Sequence, residues 1–301
     1  MKQIALLAAS LSVCAGAAVA DPLHVVVTFP VLGDFVQRVG GDGVTVTSLV
    51  GAGADAHVYE PTPADAGVLA RADLIVVNGL GFEGFIDRLI AASGSAAPVV
   101  VASEGVTLQE AGGHDDHDHH DHGDDAPDPH AFQSIDNALI YIDNITQALC
   151  GLDAENCDTY QARQGEAHAE FAALNVELHA ALTKAGAQDH VLLVPHNAFA
   201  YFGAAYGLTF EAPQGLSTES EPSAADLAAL LRALRDEGAA AAFPVSGASD
   251  RLVARLAAEL SIPLGAPLYA ENFSAADGHA ADFIAMQRHN VGAIIAALQG
   301  E

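Results

Sequence analysis

The stretch Gly112–His130, GGHDDHDHHDHGDDAPDPH, holds six histidines and seven aspartates and no cation. Neutral imidazole and carboxylate are the ligands taken by zinc and other borderline divalent metals. A stretch of this composition can therefore collect metal ions. It has too little apolar content to bury a core, so 112–128 is expected to be a disordered, solvated loop. In it His114, His117, His119, His120 and His122 form an auxiliary metal-binding set. The last histidine differs, because Asp128-Pro129 stiffens the chain just ahead of His130. His130 is thereby expected to open a fixed site. The competing reading is an acidic spacer whose histidines bind nothing. An expression tag is opposed by the internal position and the mixed composition.

The elements that must position such a site alternate in type. Leu23–Phe29 reads as a buried strand, followed by Pro30 and a helix through Phe35 to Val39. Val44–Val50 is the next β-branched run. Thr62-Pro63-Ala64-Asp65 starts a helix, with Thr62 as N-cap and Pro63 in the first turn. Leu74–Asn78 and Val99–Val101 are two further short strands, flanking an expected helix over GLGFEGFIDRLIAAS with Phe82, Phe85 and Leu89 on one face. Ile135–Leu149 is expected to carry the chain out of this first lobe. From Ala154 to Lys184 there is no proline and one glycine, and Phe171, Leu174, Leu178 and Leu182 form an apolar stripe. Some 30 residues of helix make a rod of about 45 Å, long enough to link two lobes.

A second alternation follows. Val191–Pro195, Leu208–Glu211, Ala239–Phe243 and Ala266–Tyr269 are expected strands, with helices over Phe199–Tyr206, from Ser223 to Gly238, over Asp250–Leu260 and over Ala281–Leu298. The fold class is α/β: two Rossmann-like lobes, each a parallel sheet covered by helices, on one long rigid helix. The expected division is 21–150 for the N-terminal lobe, 151–185 for the linking helix and 186–301 for the C-terminal lobe.

Ligands in open α/β sheets collect beyond the carboxyl ends of the strands. Each lobe has two metal-ligand residues there. His57 follows the strand ending at Val50, and His130 closes the loop after Val101. His196 directly follows Val191–Pro195, and Glu271 comes two residues after Tyr269. Three imidazoles and a carboxylate meeting in the interdomain cleft would suit tetrahedral Zn²⁺. Asp277 is an alternative carboxylate. His24, His168, His179, His190, His279 and His289 have no such strand-end position and read as structural or surface residues.

Composition bounds what this site can serve. Lys2, the apolar run Ile4–Ala17 and Ala18-Val19-Ala20 form a secretory signal, with cleavage expected after Ala20 and export to the periplasm. Cys14 leaves with the signal, and Val13 is a poor residue to precede a lipidated cysteine. Eleven cations against 39 acids give a net charge of −28, which opposes binding to nucleic acid. Cys150 and Cys157 bracket GLDAEN. In an oxidising compartment they are expected to form a disulfide, with zinc ligation by the pair as the rival.

At these residues the chain resembles the metal-specific solute-binding proteins of ABC importers, cluster A-I, and most closely their zinc-specific members. The stretches that carry the resemblance are GADAHVYEPTPAD, the His/Asp-rich insert ending in DPH, HNAFAYFGAAYGL, GLSTESEPSAADL, and LYAENFS followed by MQRHNVGAI. The resemblance covers essentially the whole chain after the signal. It implies metal held between two lobes on a long helix, with His57, His130 and His196 as ligands. Glu271 falls where the family usually has aspartate, and Asn197 stands where an aspartate usually follows the histidine, so a contact orienting His196 is altered. Manganese-specific relatives tend to carry glutamate at the His196 position.

The expected function is a monomeric periplasmic zinc-binding protein. It would deliver Zn²⁺, its cargo, to the membrane permease of an ABC importer, with the His/Asp-rich loop gathering zinc or receiving it from a periplasmic metallochaperone. The rigid connecting helix implies a small closure, leaving the loop as the moving part. One alternative keeps the fold and changes the cargo to manganese or iron. A second is a zinc hydrolase with three histidines, a water and Glu271 as general base, and a third is an adhesin sharing the fold. Gly79-Leu80-Gly81 lacks the spacing of a nucleotide loop.

Overall fold

A computed structural model describes residues 21–109, 127–219 and 222–300. The apolar run at Leu23–Val27 forms β1, whose last three valines are buried. Pro30 opens α1 (Pro30–Gly40), where its missing N–H leaves no bond unmade. Then come β2 (Val44–Ser48), α2 (Pro63–Leu69), β3 (Leu74–Val77), α3 (Ile86–Ser93) and β4 (Val99–Val101). The expected cap at Thr62 is present: the Asp65 carboxylate accepts from the Thr62 backbone N–H at 2.6 Å and from its hydroxyl at 2.8 Å. The four strands pair in parallel in the order β2-β1-β3-β4.

Two long helices follow, α4 (Ile135–Leu152) and α5 (Cys157–Ala185). Both were expected, the first as the way out of the N-terminal lobe and the second as the linking rod, and the two pack on each other. The 29 residues of α5 span about 44 Å, and Phe171, Leu174, Leu178 and Leu182 are buried along it as the stripe required. A disulfide between Cys150 and Cys157 staples the end of α4 to the start of α5.

The second lobe contains β5 (Val191–Leu193), α6 (Ala200–Tyr206), β6 (Thr209–Glu211), α7 (Ala224–Glu237), β7 (Ala241–Ala242), α8 (Arg251–Leu260) and α9 (Phe283–Gln299). Its parallel sheet has the order β6-β5-β7. Ser223 caps α7 in a capping box with Asp226, and Gly238 ends it in the left-handed conformation.

Two expected elements differ. The helix foreseen from Gly79 begins only at Ile86, because Gly79, Leu80 and Gly81 all have positive φ (84°, 56° and 78°). The buried Glu83 carboxylate instead accepts the N–H groups of Asn78 and Gly79, so Phe82 and Phe85 lie in a turn. Ala266–Tyr269 is not a strand but makes one bridge, Val245 to Leu268. Pro263 and Pro267 deny that segment the donors a ladder needs.

One continuous core runs from the N-terminal sheet through α1, α4 and α5 to α9, and a smaller cluster of Leu193, Leu234, Ala242, Val253, Leu256 and Ala257 lies under α7 and α8. The Phe283 ring of α9 packs 5.0 Å from Phe35 of α1 and 5.1 Å from Phe171 of α5. The first lobe, the spine and the terminal helix therefore share side-chain contacts. No helix among the described residues is long and apolar enough to cross a membrane.

Replacing Cys150 and Cys157 together by serine is expected to remove about 2 kcal/mol of stability, from the entropy of a short closed loop. Thermal unfolding should read this as a lower Tm, with metal affinity unchanged because the staple lies at the far end of α4 from His130.

Candidate metal centre

Three of the expected ligands meet. One ring nitrogen from each of His57, His130 and His196 lies within 4.8 Å of the other two. Nε2 of His57 and Nε2 of His130 are 3.2 Å apart. Two nitrogens sharing one tetrahedral Zn²⁺ at about 2.0–2.1 Å would be separated by roughly 3.3–3.4 Å. The observed spacing is close to that, so the two nitrogens could share an ion; it is also the length of one N–H···N hydrogen bond between the rings. The three ring centroids are 5.2, 5.3 and 5.6 Å apart.

Each ring is held by the chain that delivers it. His57 lies in the loop after β2 and His130 at the start of a single 3-10 turn, Ala131–Gln133. Both follow an aspartate by two residues, and in both cases its Oδ1 accepts the histidine backbone N–H at 2.9 Å. This is the local bond that short carboxylate side chains make to their own backbone. Asp128 does more: the same oxygen accepts from Nδ1 of His130 at 2.8 Å. In a neutral ring that donation leaves Nε2 with its lone pair facing the other histidines. His196 follows β5 on the opposite lobe, its backbone bridged to Gln214. Neither nitrogen of its ring has a hydrogen-bond partner. Asn197 follows His196, with its backbone N–H donating to the Gly215 carbonyl at 3.0 Å.

Burial sets the electrostatics. His130 and His196 are fully buried and His57 partly so. Burial, reinforced by the His130 ring beside it, lowers the pKa of His57 to about 3. The same causes, with His57 added, hold His196 well below its ordinary value. Unprotonated imidazole is the form that binds metal. Phe82 closes the apolar side, its ring 4.9 Å from His57 and 5.6 Å from His130.

Glu271 is not in the set of residues whose ligand atoms all lie within 4.8 Å of one another. It is nevertheless buried, and its Oε2 has no hydrogen-bond partner. Desolvation, with the charge of Asp55 nearby, raises its pKa to about 8. Asp277 is exposed. His114, His117, His119, His120 and His122 lie outside the described residues, as does the signal segment. The loop expected over 112–128 extends too far at its end, because Asp128 is fully buried and bonded into the site.

Four positioning residues escaped the sequence reading. Besides Asp128, Asn78 donates to the Pro129 carbonyl at 2.9 Å and accepts from the Tyr141 hydroxyl at 2.7 Å. Gln133 crosses to the second lobe, donating to the Ala270 carbonyl at 2.8 Å beside Glu271. Tyr201 crosses the other way, donating to the Asp128 carbonyl at 3.1 Å. The Asp-x-His spacing was visible at 55–57 and 128–130; the other three are joined to the site only by folding.

Two parallel α/β lobes with imidazoles from both meeting between them define a metal-binding protein of the two-lobed solute-binding class. Residues 25–297 match the family described as ZnuA, zinc-uptake complex component A, periplasmic. The chain belongs to that family, the periplasmic metal-binding proteins of cluster A-I ABC importers. It is 24% identical over 280 residues to a manganese-binding lipoprotein, MntA, of Halalkalibacterium halodurans, covering 92% of this chain and 89% of that protein. The fold matches the Mn-bound periplasmic metal-binding protein of Candidatus Liberibacter asiaticus with a TM-score of 0.80 at 26% identity, over 92% of this chain and 99% of that one. It matches the periplasmic zinc-binding protein TroA of Treponema pallidum with a TM-score of 0.83 at 25% identity, over the same shares, 92% and 99%. The family is one of transport proteins, not enzymes, and the hydrolase reading is set aside.

Asp128→Ala removes both bonds that fix His130. It is expected to weaken metal binding by roughly 10–100-fold, the usual cost of losing a ligand's outer partner, read by titration against a chelator of known affinity. A second expectation concerns the metal-free protein. The folded pKa of Glu271, about 8, lies above its ordinary 4.5, so the folded state holds the extra proton and Glu271 lowers stability as pH rises from 4.5 to 8. Glu271→Gln should therefore stabilise the metal-free protein by an increment that grows across that window and levels off above it. Tm measured at intervals from pH 5 to 9 checks this.

Proposed function

We propose that the chain captures Zn²⁺ in the periplasm and delivers it to the membrane permease of an ABC importer. The observation carrying this reading is the convergence of His57, His130 and His196 from two lobes. A majority of imidazole nitrogens favours zinc, since manganese leans toward oxygen ligands and binds most weakly of the first-row series. We infer that Glu271 is the fourth ligand: it is buried with an unpartnered oxygen, and Gln133 ties its neighbour Ala270 to the turn that follows His130. Four protein ligands would fill a tetrahedral shell and leave no position for an activated water, as suits a carrier. The histidines from His114 to His122 collect zinc, or accept it from a metallochaperone, and pass it inward toward His130. The exported protein begins at Asp21 and acts as a monomer, with lobes at 21–150 and 186–301 on the connection 151–185.

The second reading changes the cargo to manganese or iron. It is favoured by the metals named for similar proteins, the manganese-binding MntA and the Mn-bound Liberibacter protein. Here the donor set argues for zinc and the names of relatives for manganese.

One series of titrations separates them. The metal-free protein is titrated with Zn²⁺ in the presence of Mn²⁺. Zinc binding unmoved by Mn²⁺ at roughly 100-fold excess is the expected result, given the metals' order of affinity; displacement at comparable concentration establishes the manganese reading instead. In the same assay His57→Ala, His130→Ala and His196→Ala should each weaken Zn²⁺ binding sharply, and three silent substitutions would end the proposal. A chain lacking Gly112–Asp125 should keep its equilibrium affinity and load zinc more slowly. Lost affinity with unchanged loading would remove the role given to that stretch.

A further inference from the structure

Tyr201 stands at the second position of α6, five residues after His196, and is buried. Its hydroxyl makes two bonds at once, both to the opposite lobe. It donates to the carbonyl of Asp128 at 3.1 Å and accepts from the backbone N–H of Gln109 at 2.9 Å. Gln109 and Asp128 are themselves joined, the Asp128 N–H donating to the Gln109 carbonyl at 3.0 Å. Gln109 precedes the histidine- and aspartate-rich stretch and Asp128 lies near its end, so a single hydroxyl from the second lobe bonds both.

The same bonds reach the metal ligands. Asp128 grips His130 through its backbone N–H and its ring, while His196 lies on the segment that leads into α6. One short piece of the second lobe therefore supplies a ligand of its own and fixes the aspartate that aims a ligand of the other lobe. We propose that Tyr201 is a positioning residue that sets His130 against His196, so that retention of the ion depends on its hydroxyl. The inference rests on the metal-binding reading given above. It adds that the register of the two lobes at the ion is set at this hydroxyl, outside the ligand shell.

Phenylalanine at this position keeps the buried ring and deletes both bonds, leaving an N–H and a carbonyl without their partner. In the full chain, Tyr201→Phe should bind Zn²⁺ about tenfold more weakly and release it correspondingly faster to a chelator, the scale set by one buried hydrogen-bonding group left unpaired. A merely structural role is distinguished by repeating the substitution in a His130→Ala background. If Tyr201 acts through Asp128 and His130, the second substitution changes the residual Zn²⁺ affinity of His130→Ala by less than about twofold, the behaviour of coupled sites in a double-mutant cycle. Equal affinities for Tyr201→Phe and the unaltered chain would overturn the inference, as would the same loss in both backgrounds. Should Tyr201→Phe lower the Tm of the metal-free protein, Gln109→Pro carries the same cycle: it removes the N–H donated to the hydroxyl and stiffens the chain there, while the hydroxyl keeps its bond to the Asp128 carbonyl. Failure of the underlying reading has a different signature, the absence of Zn²⁺ binding by the unaltered chain, and would overturn both.

Discussion

Three imidazole rings brought together at a largely buried boundary, tilted or edge-on to one another, are the constraint on which the remaining structure depends. Each nitrogen taken out of water without a partner costs free energy, and a proton on one ring would oppose a proton on the next. His196 shows this most plainly, with no hydrogen bond at either nitrogen and its pKa held down by burial first and by the two neighbouring rings second. A divalent cation resolves that cost in one step: it gives every lone pair a partner and makes the unprotonated state the useful one. Glu271 likewise carries a buried oxygen without a partner, and burial first and Asp55 second raise its pKa.

The fold meets the constraint by making the site's surroundings stiff. Parallel strands deliver the loops to one end of each sheet, and the two sheets are tied by α4, α5 and the shared core that reaches Phe283. Across the boundary the ties are polar and specific. Thr218 donates to Asp55 at 2.6 Å, Asn272 to the Ala54 carbonyl at 3.3 Å, and Gln133 to the Ala270 carbonyl at 2.8 Å. Each tie lies within three residues of a ligand or of Glu271. Gly247 keeps room at this boundary, since a Cβ there would meet the Asn272 amide at 2.7 Å and, on the first lobe, the Gly53 and Ala54 carbonyls at 3.5 Å. Opening the lobes would break bonds that lie beside the three histidines, so a cation held there would stabilise the closed lobes.

The aspartates at 55 and 128 show how one local device serves two ends. Both bond the backbone of the histidine two residues on, a contact that needs no tertiary structure. Their remaining capacity is used differently. Asp128 turns back to the ring of its own histidine, while Asp55 reaches the Thr218 hydroxyl of the other lobe. One aspartate therefore aims a ligand and the other ties the boundary.

Much of this was legible in the chain itself. The order of strands and helices follows from runs such as Leu74–Val77 and from the buried stripe on α5, because hydrophobic period and chain punctuation are local properties. The candidate ligands His57, His130 and His196 could be picked out because the ends of parallel strands are where such sheets collect ligands, and strand ends can be read from sequence. The left-handed run at Gly79–Gly81 and the proline-interrupted segment near Leu268 could not be placed by periodicity, since backbone conformation there answers to Glu83 and to missing donors. Nor could Asn78, Gln133 and Tyr201 be assigned, each touching the site through a residue more than fifty positions away. Residue types and their spacing determined that this protein would offer nitrogen ligands from two α/β lobes. Which side chains aim those ligands, and how the lobes lock around them, was decided only by tertiary packing, because a hydrogen bond between distant segments leaves no periodic trace in the chain that makes it.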